Sequence, residues 1–159
     1  MSAAPAEHAD VRFPPPLLYA AVVLAGSRLG RAWPVKFAGG ALAPGRRTAG
    51  WVLVAGGAAL CGAAVQQFRA AGTSPVPVRP TTALVAAGPY RFTRNPMYLG
   101  LSAGTAGVAL ITGNPWVLAL LVPAVGVADA AFIRPEERYL ERTFGDAYRA
   151  YRTTVRRWI

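Results

Sequence analysis

An all-α, multi-pass membrane protein is the fold class this sequence predicts: about four transmembrane helices, then a C-terminal amphipathic helix on the cytoplasmic side. Three observations carry that expectation. Of 159 residues, 53% are hydrophobic and only 15% are charged, where a soluble domain has about 25% charged. The charges leave three long gaps. The basic residues, 16 Arg and Lys36 against 7 acids for a net charge of +10, gather at the ends of those gaps. The length suits one domain over 1–159. Counting also excludes chemistries: Cys61 is the single cysteine and His8 the single histidine. An intrachain disulfide, a His-ligated metal site and a His-based triad are therefore ruled out, and no metal is expected.

A spanning helix needs about 20 apolar residues. The first gap, Phe13 to Ser27, is short and opens on Pro14-Pro15-Pro16. Its helix is expected over about 14–30, proline being tolerated in a first turn and Arg28 able to snorkel. Glu7 and Asp10 replace the basic region that a cleaved signal would carry, so this segment reads as a span. The second gap, Thr48 to Phe68, fits one helix over 48–68. The third, Asn95 to Ala128, is 34 residues long with Gly113-Asn114-Pro115 in its middle. It reads as two helices, 96–112 and 116–133, joined by a tight hairpin.

Four spans put both termini on one side. That side then carries 12 basic residues and the other carries 5. Positive-inside makes it the cytoplasm of the cell's inner membrane, with membrane lipids as partners. No zinc-finger, P-loop or nucleotide-fold signature accompanies the Arg clusters, so no nucleic-acid partner is expected.

Two polar stretches stand out. Segment 69–98 holds five prolines and cannot be one helix, yet Leu84, Val85, Tyr90, Phe92, Met97 and Tyr98 alternate with Arg. Gly88-Pro89 marks a turn, and Asn95-Pro96 a helix start with Asn95 as the cap. Such an N-terminus beside Arg favours anions; an aromatic and Arg anchor at the membrane surface is the equal alternative. After the fourth span, Leu140, Phe144, Tyr148, Tyr151 and Val155 follow 4, 4, 3, 4 spacing, one face of an amphipathic helix. It reads either as a surface helix or, with Glu136 and Glu137 at its start, as the floor of a site. Asp129, the acid inside a span, is either functional or snorkels to water.

Leu84-Val85-x-x-Gly88-Pro89-Tyr90-x-x-x-Arg94-Asn95-Pro96-Met97-Tyr98-x-Gly100 resembles the signature of the isoprenylcysteine carboxyl methyltransferase and phospholipid methyltransferase superfamily. Glu136-Glu137-x-x-Leu140-x-x-x-Phe144-Gly145-x-x-Tyr148-x-x-Tyr151 resembles its second motif, downstream of the same helical hairpin. The similarity covers about 70–151.

The resemblance implies an integral-membrane enzyme using S-adenosyl-L-methionine and releasing S-adenosyl-L-homocysteine. Its donor site would be built from segments 80–100 and 134–152, and a lipophilic methyl acceptor would arrive from the bilayer. Carried over, Thr82, Ala83, Leu84 and Val85 meet the adenine end and Tyr90 lines the pocket. Asn95, Pro96, Met97 and Tyr98 hold the methionine moiety and ribose. Glu136 or Glu137 binds donor hydroxyls or its ammonium. Tyr98 and Glu137 are the catalytic candidates, because an amine or thiol acceptor needs a base, and Arg94 and Arg134 are the substrate-binding candidates. Asn95 stands where prenylcysteine enzymes have His, as in bacterial and phospholipid-type members, which puts the prenylcysteine substrate in doubt. The phospholipid amine or a small thiol is the alternative acceptor. From another class, a non-catalytic scaffold or carrier would have no reason to assemble Tyr90, Asn95, Tyr98, Glu136 and Glu137. Gly100 and Gly104 read as close helix packing, with a lateral route for the acceptor expected near Tyr98 and Ser102.

Overall fold

The structure is a computed structural model that describes residues 14–35, 37, 43–73 and 82–159. The Glu7 and Asp10 segment, Lys36, and Pro75, Pro77, Arg79 and Pro80 lie outside the described residues, as does the start of the expected 80–100 segment. Among the described residues there are six α-helices and no strand: α1 Pro15–Ala32, α2 Ala43–Ala70, α3 Pro96–Thr112, α4 Pro115–Ala128, α5 Arg134–Phe144 and α6 Asp146–Thr154. Two helical stretches are long and apolar enough to cross a membrane, Gly45–Ala70 and Pro115–Phe144; Pro96–Thr112 is apolar but shorter.

The contacts set an alternating up-and-down order. On α1, Tyr19, Val22 and Gly26 turn inward at 3- and 4-residue spacing. The Tyr19 hydroxyl lies 3.1 Å from Ser102 Oγ and donates to the Tyr98 carbonyl at 3.5 Å. Further along α1, Gly26 meets Val117 and its carbonyl accepts from Asn114 Nδ2 at 2.9 Å. So α1 runs with α3 and against α4.

Between α2 and α3 the backbones nearly touch. A Cβ added at Gly107 would sit 2.5 Å from the Gly50 carbonyl oxygen, and one at Gly100 would sit 2.6 Å from the Gly57 oxygen and from Cys61 Sγ. Small residues at this spacing let helices approach where hydrophobic burial offers no drive. The hairpin closes as its residues require. Gly113 takes φ 67° at the end of α3, and Asn114 Oδ1 accepts from the Trp116 amide at 3.0 Å, capping α4. Large apolar side chains such as Leu24, Trp51, Val52 and Val122 face outward along these helices.

Two expectations need correction. The amphipathic helix expected after the fourth apolar stretch, on the face Leu140 to Val155, is not one element. Asp129–Ile133 forms a π-turn that runs straight into α5, and Gly145, at φ 52° and ψ −121°, separates α5 from α6. The apolar spacing continues across that break, so periodicity concealed it. Asn95 occupies the cap position of α3 but makes no capping bond with its side chain. Its Nδ2 donates to the Arg157 carbonyl at 3.0 Å instead.

Candidate functional site

One end of the bundle collects the C-terminus of α2, the N-terminus of α3 and the π-turn leading into α5. The chain entering α3 is held tightly. Gly88 takes φ 59° and a Cβ there would meet Gln67 of α2 at 2.8 Å, so the 3-10 turn Gly88–Arg91 lies against the end of α2. The buried Tyr90 ring meets Phe68 edge-on, centroids 5.6 Å apart, and its carbonyl accepts from the Tyr151 hydroxyl at 2.7 Å. Thr93 Oγ1 accepts from the Asn95 amide at 3.1 Å and donates to the Arg157 carbonyl at 3.1 Å. Pro96, fully buried, begins α3, and two residues on Tyr98 stacks against Phe132 at 6.5 Å and 23°.

These residues wall a cavity that opens to the surface, with about 750 Å³ of empty space, the open mouth included. From the segment before and into α3 it is lined by Ala83, Leu84, Val85, Tyr90, Arg94, Asn95, Pro96, Met97 and Tyr98. The other wall is Ile133, Glu136, Glu137, Tyr139, Leu140, Tyr148 and Tyr151, with Phe68 from α2. The two stretches that carry the sequence motifs therefore face each other across one space. Two expected site residues stand apart from it. Thr82 is exposed and donates its amide to Thr73 Oγ1 at 3.1 Å. Arg134 is exposed and pairs with Asp129 at 2.7 Å. Ser102, near which the lateral route is expected, has its hydroxyl 3.1 Å from the Tyr19 hydroxyl.

The two adjacent glutamates differ sharply. Glu137 is saturated. Arg157 Nε and Nη2 donate to its two oxygens at 3.1 and 2.7 Å, and Arg94 Nη2 lies 3.1 Å from Oε1. This makes a bidentate pair with a second cation. Asp129 joins the same network through Arg157 Nη1 at 3.3 Å, so it is neither free nor simply snorkelling. Glu136 accepts from the Tyr98 hydroxyl, which donates to Oε2 at 3.4 Å, and pairs with no Arg among the described residues.

Thirty helical residues span about 45 Å, longer than the roughly 30 Å hydrocarbon core. The run Pro115–Phe144 is thus longer than one crossing needs, and the charged stretch from Arg134 lies in its C-terminal part. There, burial pushes the Glu136 carboxyl up to about 7; the nearby Glu137 charge pushes the same way, and the Tyr98 hydrogen bond opposes it. Burial also raises the Tyr90 and Tyr148 phenols and pushes Tyr151 up to about 12, with Arg94 pulling it back. All three hydroxyls thus stay protonated near neutrality. Among the described residues no group of three or more His, Cys, Asp or Glu converges as a metal site would.

Sequence reasoning missed Phe68, Ile133 and Tyr139, which read as ordinary apolar span and face residues. It also missed Arg157, which read as one Arg of a basic tail.

A family model described as phospholipid methyltransferase matches residues 46–147. The chain belongs to the phospholipid methyltransferase family. That family is part of the superfamily of membrane methyltransferases that also holds the isoprenylcysteine carboxyl enzymes. The matched region takes in the α2–α3 packing, the hairpin and both motif segments up to the start of α6. Over 63 residues, 40% of this chain and the whole of the relative, it is also 38% identical to an uncharacterized protein of Haemophilus influenzae (strain ATCC 51907 / DSM 11121 / KW20 / Rd). No solved structure matches. Methyl transfer at a membrane is therefore the family chemistry against which this phospholipid methyltransferase-family cavity is to be understood.

Proposed function

We propose that the chain is an S-adenosylmethionine-dependent methyltransferase of the inner membrane, acting on a lipidic or small hydrophobic acceptor. The observation that carries this reading is the cavity between the two motif segments, with the Glu136 carboxyl, hydrogen-bonded by the Tyr98 hydroxyl, on its wall. Such a wall suits a cationic ligand. Aromatic faces attract a sulfonium or ammonium, and a carboxylate with no cation partner among the described residues offers the complementary charge. Leu84 and Val85 would bound the adenine end, with Ala83 beside them. Asn95, Pro96, Met97 and Tyr98 would hold the ribose and amino-acid part, and Tyr90 would close the pocket.

When bound, the donor would supply a methyl already electrophilic on sulfur, ready for in-line displacement by an acceptor lone pair. The chain's own contribution is alignment and exclusion of water. A carboxylate acceptor requires no base. For an amine or thiol acceptor Glu136, titrating near neutrality, suits proton acceptance, whereas Glu137 is held by Arg94 and Arg157. The catalytic role thus passes from Glu137 to Glu136, with Tyr98 donating to it. Arg94 lines the cavity and keeps the substrate-facing role; Arg134 does not.

The wider reading has α1, α2, α3 and α4 as four spans, with both termini and the cavity on the cytoplasmic side. The outward-facing apolar side chains support it, since exposed residues of this kind mark contact with another phase. So does the cluster of basic residues at the cavity end. Asn95 favours a phospholipid-type acceptor over a prenylcysteine. A scaffold or carrier would leave the convergence of Tyr90, Asn95, Tyr98 and Glu136 unexplained.

The test is incubation of the purified protein with membrane lipid extract and methyl-labelled donor, read by mass spectrometry. A labelled lipid that disappears with Glu136→Gln supports the reading. No label in any lipid or small hydrophobic compound, from folded protein, refutes it.

A further inference from the structure

The last residues of the chain do more than follow α6. Val155 is buried, and the tail beyond it crosses the start of α3. The Arg94 amide donates to the Arg156 carbonyl at 3.0 Å. The Thr93 hydroxyl and Asn95 Nδ2 both donate to the Arg157 carbonyl, at 3.1 and 3.0 Å. The Arg157 side chain then turns the other way, forking onto Glu137 and reaching Asp129. One residue thus ties the loop before α3 to the first turn of α5, the two walls of the cavity.

We propose that Arg157 is a positioning residue of this site, fixing Glu137 and Asn95 so that Glu136 alone of the two adjacent glutamates is left to meet a ligand. Neighbouring helical residues point about 100° apart. Holding Glu137 toward the tail therefore turns Glu136 toward Tyr98 and the cavity. Arg94 alone cannot do this, because its Nη2 reaches one oxygen of Glu137 while Arg157 takes both. The functional consequence rests on the donor-site reading above; the placement of the carboxylates does not.

Losing the Arg157 charge would leave Glu137 with Arg94 as its one remaining cation among the described residues, a less compensated anion next to Glu136, and a like charge disfavours ionisation. The groups facing Glu136 are Tyr98 from α3, Tyr90 from the 3-10 turn and Glu137. Those around Arg157 are Glu137, Asp129 and Tyr148, and Arg134 also pairs with Asp129.

The experiment is an infrared titration of the ligand-free protein in detergent. The protonated-carboxyl band of Glu136 is identified by its loss in Glu136→Gln. Arg157→Gln is expected to raise the midpoint by roughly one pH unit, Arg157→Lys by less, and Arg157→Gln with Glu137→Gln by nothing. A tail that only packs would lower the melting temperature of each variant and leave every midpoint in place, which overturns the proposal. Should Arg157→Gln fail to fold, Arg157→Lys decides alone: an unmoved midpoint is contrary. S-adenosylhomocysteine titration of the same proteins should show about fivefold weaker binding at pH 7 for Arg157→Gln, a loss that follows from the raised midpoint. If the unaltered protein binds none, the donor reading falls while the infrared midpoints still decide the role of Arg157.

Discussion

Replacing Glu136 by Gln is expected to stabilise the ligand-free protein above neutral pH and leave it unchanged in acid. The carboxyl is pushed from its ordinary 4.5 up to about 7, chiefly by burial. The folded protein therefore holds this proton more tightly than the unfolded chain does. Protonation favours folding, so the contribution is fully present below about pH 4.5 and is lost as pH rises through about 7. Each tenfold change in proton affinity is worth about 1.4 kcal/mol, which sets a ceiling of roughly 3 kcal/mol on the cost of the charged form. Partial exposure of the side chain reduces this to about 1–2 kcal/mol. Glutamine keeps an acceptor for the Tyr98 hydroxyl and cannot ionise. Thermal melts in detergent should coincide near pH 4.5 and separate by pH 8, with Glu136→Gln higher by about 2–4 °C per kcal/mol. Coincident melts at every pH, or a lower melt for the variant at pH 8, would show that Glu136 is either solvated or paired with a cation.

Tyr98→Phe removes the bond that opposes the rise of Glu136; at 3.4 Å it is worth about 0.7 kcal/mol, so the infrared midpoint should climb by about half a pH unit. An unchanged midpoint would disprove that contact. Gly107→Val is expected to cost about 1–3 kcal/mol by overpacking against Gly50 and Val54 of α2, whereas Gly56→Ala, with open space around it, should melt like the unaltered protein; equal melts for both would contradict the α2–α3 contact. Asn114→Ala loses the α4 cap and the tie to Gly26, about 1–2 kcal/mol, readable as a lowered melting temperature. Reporter fusions after Ala71 and after Ile159 should report cytoplasm and one near Gly40 the outside; an outside report for Ile159 would remove the cavity from the cytoplasmic donor.

Much of the helical frame could be read from where charges are missing. The run Asn95 to Ala128 with Gly113-Asn114-Pro115 inside it gives α3 and the start of α4 almost to the residue, because a φ of 67° at Gly113 and a cap from Asn114 are local requirements. The two motif segments likewise announced most of the cavity wall. The break at Gly145 was hidden, since Leu140, Phe144 and Tyr148 keep helical spacing through a turn that redirects the chain. The split between Glu136 and Glu137 was hidden for a different reason. It depends on Arg157, 20 residues beyond Glu137, and no local pattern encodes a pairing at that distance. Thr82 and Arg134 were placed with the site by their position next to a motif, and position along the chain does not decide which way a side chain turns.

The central claim is that this cavity takes the methyl donor, and calorimetric titration of S-adenosylhomocysteine into the folded, detergent-solubilised protein tests it most directly. Saturable binding at neutral pH, weakened at least tenfold by Glu136→Gln, is the predicted result. Folded protein that takes up no S-adenosylhomocysteine, or binds it equally well with Glu136→Gln, would contradict the account.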